Sequence, residues 1–189
     1  MRGITPDKTV FFDFDSTLAD TEPYHIYAWD TVLNPFGIHI DDWESYCGNS
    51  DLFVFSTLKE QYHLDMDIPT TIDAKLRIFK EQAIQAGLQP YPDIAGLIQT
   101  LPNRKFVLTK QRYEIVSFFL KKWGLDRYFE DIISLEYSPI SKADKIIEMG
   151  FTPQNCVLLD DVLHNVEEAD EKGIQAIWVV NGKVKGDYV

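Results

Sequence analysis

The sequence predicts an α/β protein: a parallel sheet with helices on both faces and a small all-helical insertion. Three observations carry that expectation. Five short apolar runs are scattered along the chain, amphipathic helical patterns separate the last four of them, and a long stretch between the first two holds helices but no buried strand. Strand and helix alternation of this kind places strands side by side in one sheet and helices over its faces, a Rossmann-like arrangement.

The first run, Val10-Phe-Phe12, reads as a fully buried strand because it is continuously apolar rather than alternating. The others are Phe106-Val-Leu108, Ile132-Ile133, Cys156-Val-Leu-Leu159 and Ala176-Ile-Trp-Val-Val180. Between them, helical spacing runs from Tyr113 to Trp123, from Lys142 to Met149 and from Val162 to Lys172. Each pattern stops at a glycine, Gly124, Gly150 or Gly173, the common left-handed terminator.

Residues 21–89 differ in character. Helical stretches are expected around Glu22 to Leu33, Ser50 to Tyr62 and Thr71 to Ala86, with turns read at Asn34-Pro-Phe-Gly37 and Ile68-Pro69. The chain therefore divides into a Rossmann-like core of residues 1–20 and 90–189 and a helical insertion of residues 21–89, with a cleft expected where they meet. Within the insertion, Tyr24, His25, Tyr46, Asn49, Lys59 and Arg77 are polar candidates to face that cleft, none of them singled out by its spacing.

Composition narrows the function. Of the 189 residues, 18 are Lys or Arg and 30 are Asp or Glu, a net charge of −12 with no basic run, which argues against a nucleic-acid or anionic-membrane partner. A phosphorylated substrate would be repelled as well, unless a local cation reverses the field. The two cysteines, Cys47 and Cys156, are far apart and suit a reducing compartment. With no apolar stretch of membrane-spanning length and no signal-peptide core at the amino terminus, a cytoplasmic protein is expected.

The chemistry is concentrated where the strands end. Asp13-Phe-Asp15-Ser-Thr17 follows the first strand, Thr109 follows the second, and Asp160-Asp161 follows the run at 156–159. In a parallel sheet these ends line one edge, where ligands bind. Asp13, Asp15 and Asp161 would crowd together there, and like charges 4 Å apart cost about 4 kcal/mol at an effective dielectric of 20. Three carboxylates near one point call for a hard cation, for which Mg²⁺ is the natural occupant. A lysine would complete the neutralisation: Lys142 follows Ser141, which can cap a helix with Asp144, and Lys145 one turn further on is the competitor.

Taken in order, Asp13-Phe-Asp15-Ser-Thr17, Thr109, Lys142 and Asp160-Asp161 resemble the four signature motifs of the haloacid dehalogenase superfamily. Asp20-Thr-Glu-Pro23 looks like the entry to a helical cap inserted after the first motif, and Gln89-Pro-Tyr-Pro-Asp93 like the return to the core. The resemblance implies a phosphatase in which Asp13 becomes a phosphoaspartate and Asp15 protonates the leaving group and then activates water. It also implies that Thr109 and Lys142 bind phosphoryl oxygens, and that Asp13, Asp161 and the backbone carbonyl of Asp15 hold Mg²⁺. Three positions depart from the common pattern: Ser16 stands where Gly is usual, Asp160 where many relatives carry Gly, and Asn165 where a second carboxylate often lies.

The function expected is hydrolysis of a small phosphorylated metabolite by a monomer or weak homodimer. A phosphomutase of the same superfamily, similar to β-phosphoglucomutase, would use the same residues and return the phosphoryl group to substrate. A signalling receiver also clusters aspartates with Thr, Lys and Mg²⁺, but its Asp pair comes early in the chain and here it comes late. A phosphate-binding protein without activity is disfavoured because every catalytic position is filled.

Overall fold

A computed structural model describes residues 4–185. Two compact units divide the chain, one of residues 1–20 and 89–189, the other of residues 21–88. In the first, β1 (Thr9–Phe12), β2 (Lys105–Thr109), β3 (Asp131–Ser134), β4 (Cys156–Asp160), β5 (Gln175–Val180) and β6 (Lys183–Val184) form one sheet in the order β3-β2-β1-β4-β5-β6. All neighbours are parallel except β5 and β6. The fold class is the one expected, a mostly parallel sheet flanked by helices, and it adds one antiparallel edge.

That edge departs from the all-parallel reading, and its cause is local. Asn181 and Gly182 both adopt positive φ, 50° and 69°, so the dipeptide makes the tight turn that suits a two-residue hairpin. Val180 then pairs with Lys183 across it.

All four residues of β1 are buried because the strand lies between β2 and β4 and both of its faces are covered. On one face Phe11, Phe106, Leu108, Leu158 and Ala176 pack with Ala143 and Ile146 of α6 (Lys142–Glu148) and Val166 and Ala169 of α7 (Leu163–Glu171). Phe11 stacks on Phe106 at 5.4 Å and meets Phe151 edge-on at 5.2 Å. Val10, Phe12, Val107 and Leu159 alternate with this set and are buried on the opposite side. There the chain also provides α4 (Pro92–Thr100) and α5 (Tyr113–Trp123), each carrying a buried apolar stripe.

Past β1 the backbone curls back on itself: Leu18 N–H donates to Phe14 O at 2.9 Å, and Ala19 bridges Pro90 across the start of the 21–88 stretch. Tyr91 N–H donates to Leu18 O at 2.8 Å, so the points where the chain leaves and rejoins this unit are hydrogen-bonded neighbours.

The second unit is helical: α1 (Glu22–Leu33), α2 (Asp51–Tyr62) and α3 (Ile68–Gln85), with short 3-10 turns at Asn34–Phe36 and Glu44–Tyr46. Ser50 caps α2 by accepting Phe53 N–H. The third helix begins three residues before its expected start. Asp67 caps it through Thr70 N–H, and Pro69 sits in its first turn, where a missing N–H costs nothing. Ile68-Pro69 is therefore a helix start and not the turn expected from the sequence.

Its interior holds a buried cation. Lys75, fully buried, lies 2.7 Å and 2.9 Å from the two oxygens of Asp51 and 2.6 Å from His25 Nδ1. The ammonium sits 4.9 Å from the Trp29 ring centre, and Trp29 Nε1 donates to Asp51 Oδ1 at 3.0 Å. An ammonium can only donate, so His25 accepts at Nδ1 and carries its proton on Nε2. Among the described residues no helix is long and apolar enough to cross a membrane.

Candidate active site

The sheet register assembles the site. Phe12 pairs with Leu159 on β4 and with Val107 on β2, so the next residues along, Asp13, Asp160 and Leu108–Thr109, emerge together at the carboxyl edge. This is also where the strand order reverses, β1 being followed on one side by β2 and on the other by β4, the place where open α/β sheets bind ligands. Asp13 N–H donates to Leu159 O at 2.9 Å, which carries the pairing one residue beyond β1 and fixes Asp13 beside Asp160.

Carboxylate oxygens of Asp13, Asp160 and Asp161 all lie within 4.8 Å of one another. Lys142 lies among them, with Nζ 2.7 Å from Asp13 Oδ1 and 2.7 Å from Asp160 Oδ2. Asp13 Oδ1 is a buried oxygen whose neighbour is the Lys142 ammonium. Ser141 caps the helix that carries Lys142, accepting Asp144 N–H at 3.1 Å as its sequence suggests. Lys145, the alternative, points to Glu148 at 3.0 Å and is not in the cluster.

Asp160 accepts three hydrogen bonds, one of them from Lys142 to Oδ2. Its second oxygen, Oδ1, accepts Val162 N–H at 2.9 Å and the Asn165 amide at 3.1 Å, so it braces Lys142 and the start of α7. Asn165 thus serves Asp160 rather than supplying a further charge. Asp161 is held by Thr17 Oγ at 3.0 Å, while Trp178 Nε1 donates to its carbonyl at 2.8 Å.

Burial and mutual repulsion raise the proton affinity of Asp13 and Asp161. Desolvation, with Asp160 and Asp15 adding repulsion, raises the Asp13 pKa from 3.8 to about 6 against the pull of Lys142. Asp161 rises to about 8, first from burial and then from Asp13 and Asp160. Lys142 is opposed by burial, but the two carboxylates outweigh it and hold it as an ammonium. Lys110, half-buried next to Thr109, is lowered by desolvation and then by the charge of Lys142.

A divalent cation fits this donor set. Every ligand atom is a carboxylate oxygen, the chemistry of a hard ion, and Lys142 is engaged by Asp13 and Asp160, which leaves Asp161 without a cation of its own. A dication in reach of Asp13 and Asp161 would offset the burial and the repulsion that raise their pKa values.

Asp15 is not one of the three clustered carboxylates; its Oδ2 faces Gln111 Nε2 at 3.4 Å. Its carbonyl accepts Thr17 N–H at 2.6 Å, and its backbone bridges Ala19. Between them Ser16 adopts φ 53°, a left-handed conformation that glycine takes more easily, which accounts physically for the glycine usual at this place. Thr109 is buried, and its hydroxyl accepts Gln111 N–H at 3.1 Å, leaving the hydroxyl proton for another acceptor. Gln111 was not foreseen from the sequence, where its only signal is its place two residues beyond Thr109.

In the helical unit, His25 belongs to the interior network of Lys75, and Lys59 Nζ donates to Met66 O at 2.6 Å. Asn49 donates to Tyr46 O at 3.4 Å, Tyr24 meets Phe79 edge-on, and Arg77 is exposed.

Residues 10–179 match the model of the haloacid dehalogenase-like hydrolases, and the chain belongs to that family. Fructose-1-phosphate phosphatase YqaB of Escherichia coli is 24% identical over 180 residues, 90% of this chain and 95% of that protein. Phosphoglycolate phosphatase 1 of Pseudomonas aeruginosa is 25% identical over 190 residues, 93% of this chain and 70% of that protein. Among solved structures, β-phosphoglucomutase of Clostridium difficile superposes with a TM-score of 0.76 at 17% identity, covering 90% of this chain and 83% of its own. Fold, family and aspartate cluster together define an enzyme of the phosphatase type.

Proposed function

We propose that this protein is a Mg²⁺-dependent phosphatase that hydrolyses a small phosphorylated metabolite through a phosphoaspartate on Asp13, with residues 21–89 as its cap. The observation that carries the reading is the placement of Asp13 within 4.8 Å of Asp161 and 2.7 Å from Lys142, at the end of the central strand. The two related phosphatases, which act on fructose 1-phosphate and phosphoglycolate, support a small phosphomonoester as the substrate class.

Asp13 and Asp161, with the carbonyl of Asp15, would hold the metal. When bound, the ion supplies positive charge to the phosphoryl oxygens and keeps Asp13 ionised. Thr109 and Lys142 bind and orient those oxygens. Asp13 attacks phosphorus, the bond from phosphorus to the leaving oxygen breaks, and protonated Asp15 gives its proton to that oxygen. Asp15, now a carboxylate, takes a proton from water. The water oxygen bonds to phosphorus, the aspartyl P–O bond breaks, and phosphate leaves with Asp13 and Asp15 restored. The catalysis is positioning and charge stabilisation around a displacement split in two.

Phosphate release from p-nitrophenyl phosphate in Mg²⁺ tests this. The parent should turn over, Asp13→Asn should not while keeping its circular dichroism, and chelation should stop the reaction reversibly. Activity that persists in the variant or in chelator overturns the mechanism. Product analysis with a hexose phosphate separates hydrolysis from transfer back to the sugar.

A further inference from the structure

We propose that Gln111 is a positioning residue for Asp15, tying the proton-transfer carboxyl to the turn that carries the phosphoryl-binding Thr109. The inference rests on the assignment of Asp15 as acid and base made above.

Gln111 is buried, with 5% of its surface exposed, two residues beyond the end of β2. Its side-chain oxygen accepts Arg112 N–H at 2.9 Å. A backbone N–H can only donate, so the orientation of the amide is decided, and its NH₂ group must face the other way. There it meets Asp15 Oδ2 at 3.4 Å. The contact is long for a hydrogen bond, as contacts to catalytic groups often are before substrate tightens them.

The backbone of Gln111 is held just as firmly. Its N–H donates to Thr109 Oγ at 3.1 Å, and its carbonyl accepts Ser134 Oγ from the end of β3 at 2.7 Å. Arg112 then forks onto the buried Glu136 at 2.8 Å and 2.7 Å and reaches Tyr137 Oη at 2.9 Å, clamping the turn to the segment after β3. Every polar atom of Gln111 is thereby committed, and the one facing Asp15 is a donor.

The consequence concerns which oxygen of Asp15 carries the proton. A donor at Oδ2 keeps that oxygen an acceptor, so the transferable proton is assigned to Oδ1 and rotation of the carboxyl group is restrained. The amide itself exchanges no proton. Proximity of this sort is worth most for a poor leaving group, whose oxygen must be protonated as its bond breaks.

A series of aryl phosphates from p-nitrophenyl to phenyl phosphate, with Mg²⁺ present, reads this directly through kcat/KM. In the parent, Asp15 protonates the leaving oxygen and the rate falls only shallowly along the series. In Q111M the loss on phenyl phosphate should exceed the loss on p-nitrophenyl phosphate by about tenfold, a fraction of the full contribution of a general acid. Q111E keeps the acceptor for Arg112 N–H but turns a carboxylate oxygen to Asp15, so this near-isostere should be impaired at least as much as Q111M. Q111N falls one methylene short of spanning both partners and should steepen the series in the same sense, giving a second variant should Q111M fold poorly. Equal loss across the series in the Gln111 variants, with D15N steepening it, overturns the role of Gln111 alone. Q111E milder than Q111M would also overturn it, since a packing role favours the isostere. D15N as shallow as the parent overturns the assignment of Asp15 on which it rests.

Discussion

Asp13 Oδ1 stands 2.7 Å from Lys142 Nζ, both side chains almost wholly shielded from solvent. The pair is not isolated, because the same ammonium lies 2.7 Å from Asp160 Oδ2. One buried cation thus answers two buried carboxylates, and removing it strands both.

Lys142→Met should therefore cost stability as well as activity. Breaking a buried ion pair from one side costs about 3–5 kcal/mol, and phosphate release should fall by about a hundredfold or more. Lys145→Ala, on an exposed i,i+3 pair with Glu148, should leave turnover of p-nitrophenyl phosphate within about twofold and the melting temperature nearly unmoved. Equal effects of the two substitutions would contradict the assignment.

The raised carboxyl groups give the metal-free protein an unusual pH dependence. Asp13 and Asp161 bind protons more tightly folded than unfolded, with pKa values about 6 and about 8 against 3.8. Their contribution to stability is complete below pH 3.8 and is lost as the pH rises through those values, because only the unfolded chain ionises freely. In chelator, melting temperature should decline between pH 5 and pH 8.5, and Mg²⁺ should flatten the decline. Asp161→Asn should melt higher than the parent at pH 8 in chelator by about 2–4 °C, the equivalent of about 1 kcal/mol. The two should converge toward pH 5.

In the helical unit, Lys75→Met leaves Asp51 with the Trp29 indole as a donor but no countercharge. Urea unfolding should register a loss of about 3–5 kcal/mol. The double variant Lys75→Met with Asp51→Asn should recover part of it, since a neutral amide is cheaper to bury than an unpaired carboxylate.

A methyl group at Gly182 would lie 2.2 Å from Tyr91 Cγ, and the residue sits at φ 69°. Left-handed alanine costs about 1–2 kcal/mol before any clash is counted, and 1.4 kcal/mol is tenfold in an opening equilibrium. Gly182→Ala should open the β5–β6 hairpin, and amide exchange at Lys185, whose N–H donates to Trp178 O at 2.9 Å, should quicken by about tenfold or more.

Legibility in the sequence followed locality. The carboxyl-edge aspartates could be read because each ends an apolar run, and parallel pairing of Phe12 with Leu159 and Val107 is enough to bring those ends together. The choice between Lys142 and Lys145 was not decided by a capping pattern that suits both. It is decided by which face of a seven-residue helix meets Asp160. Gln111 and the Lys75 network were invisible for the same reason: their partners are 96, 50 and 24 residues away in the chain. Two local signals were present and misread or passed over, the Asp67 cap that starts α3 and the Asn181-Gly182 hairpin.

The hydrogen bond from Tyr91 N–H to Leu18 O, with the Ala19–Pro90 bridge beside it, has a bearing on how such a chain can change over generations. The sheet-bearing unit stitches its own flanks together, so whatever is threaded through that gate hangs as a loop whose mouth is already shut. Because the entropy of closing a loop grows only with the logarithm of its length, lengthening, shrinking or exchanging the threaded segment leaves the stitching nearly undisturbed. The aspartates at the carboxyl edge can stay fixed while the segment beyond the gate changes.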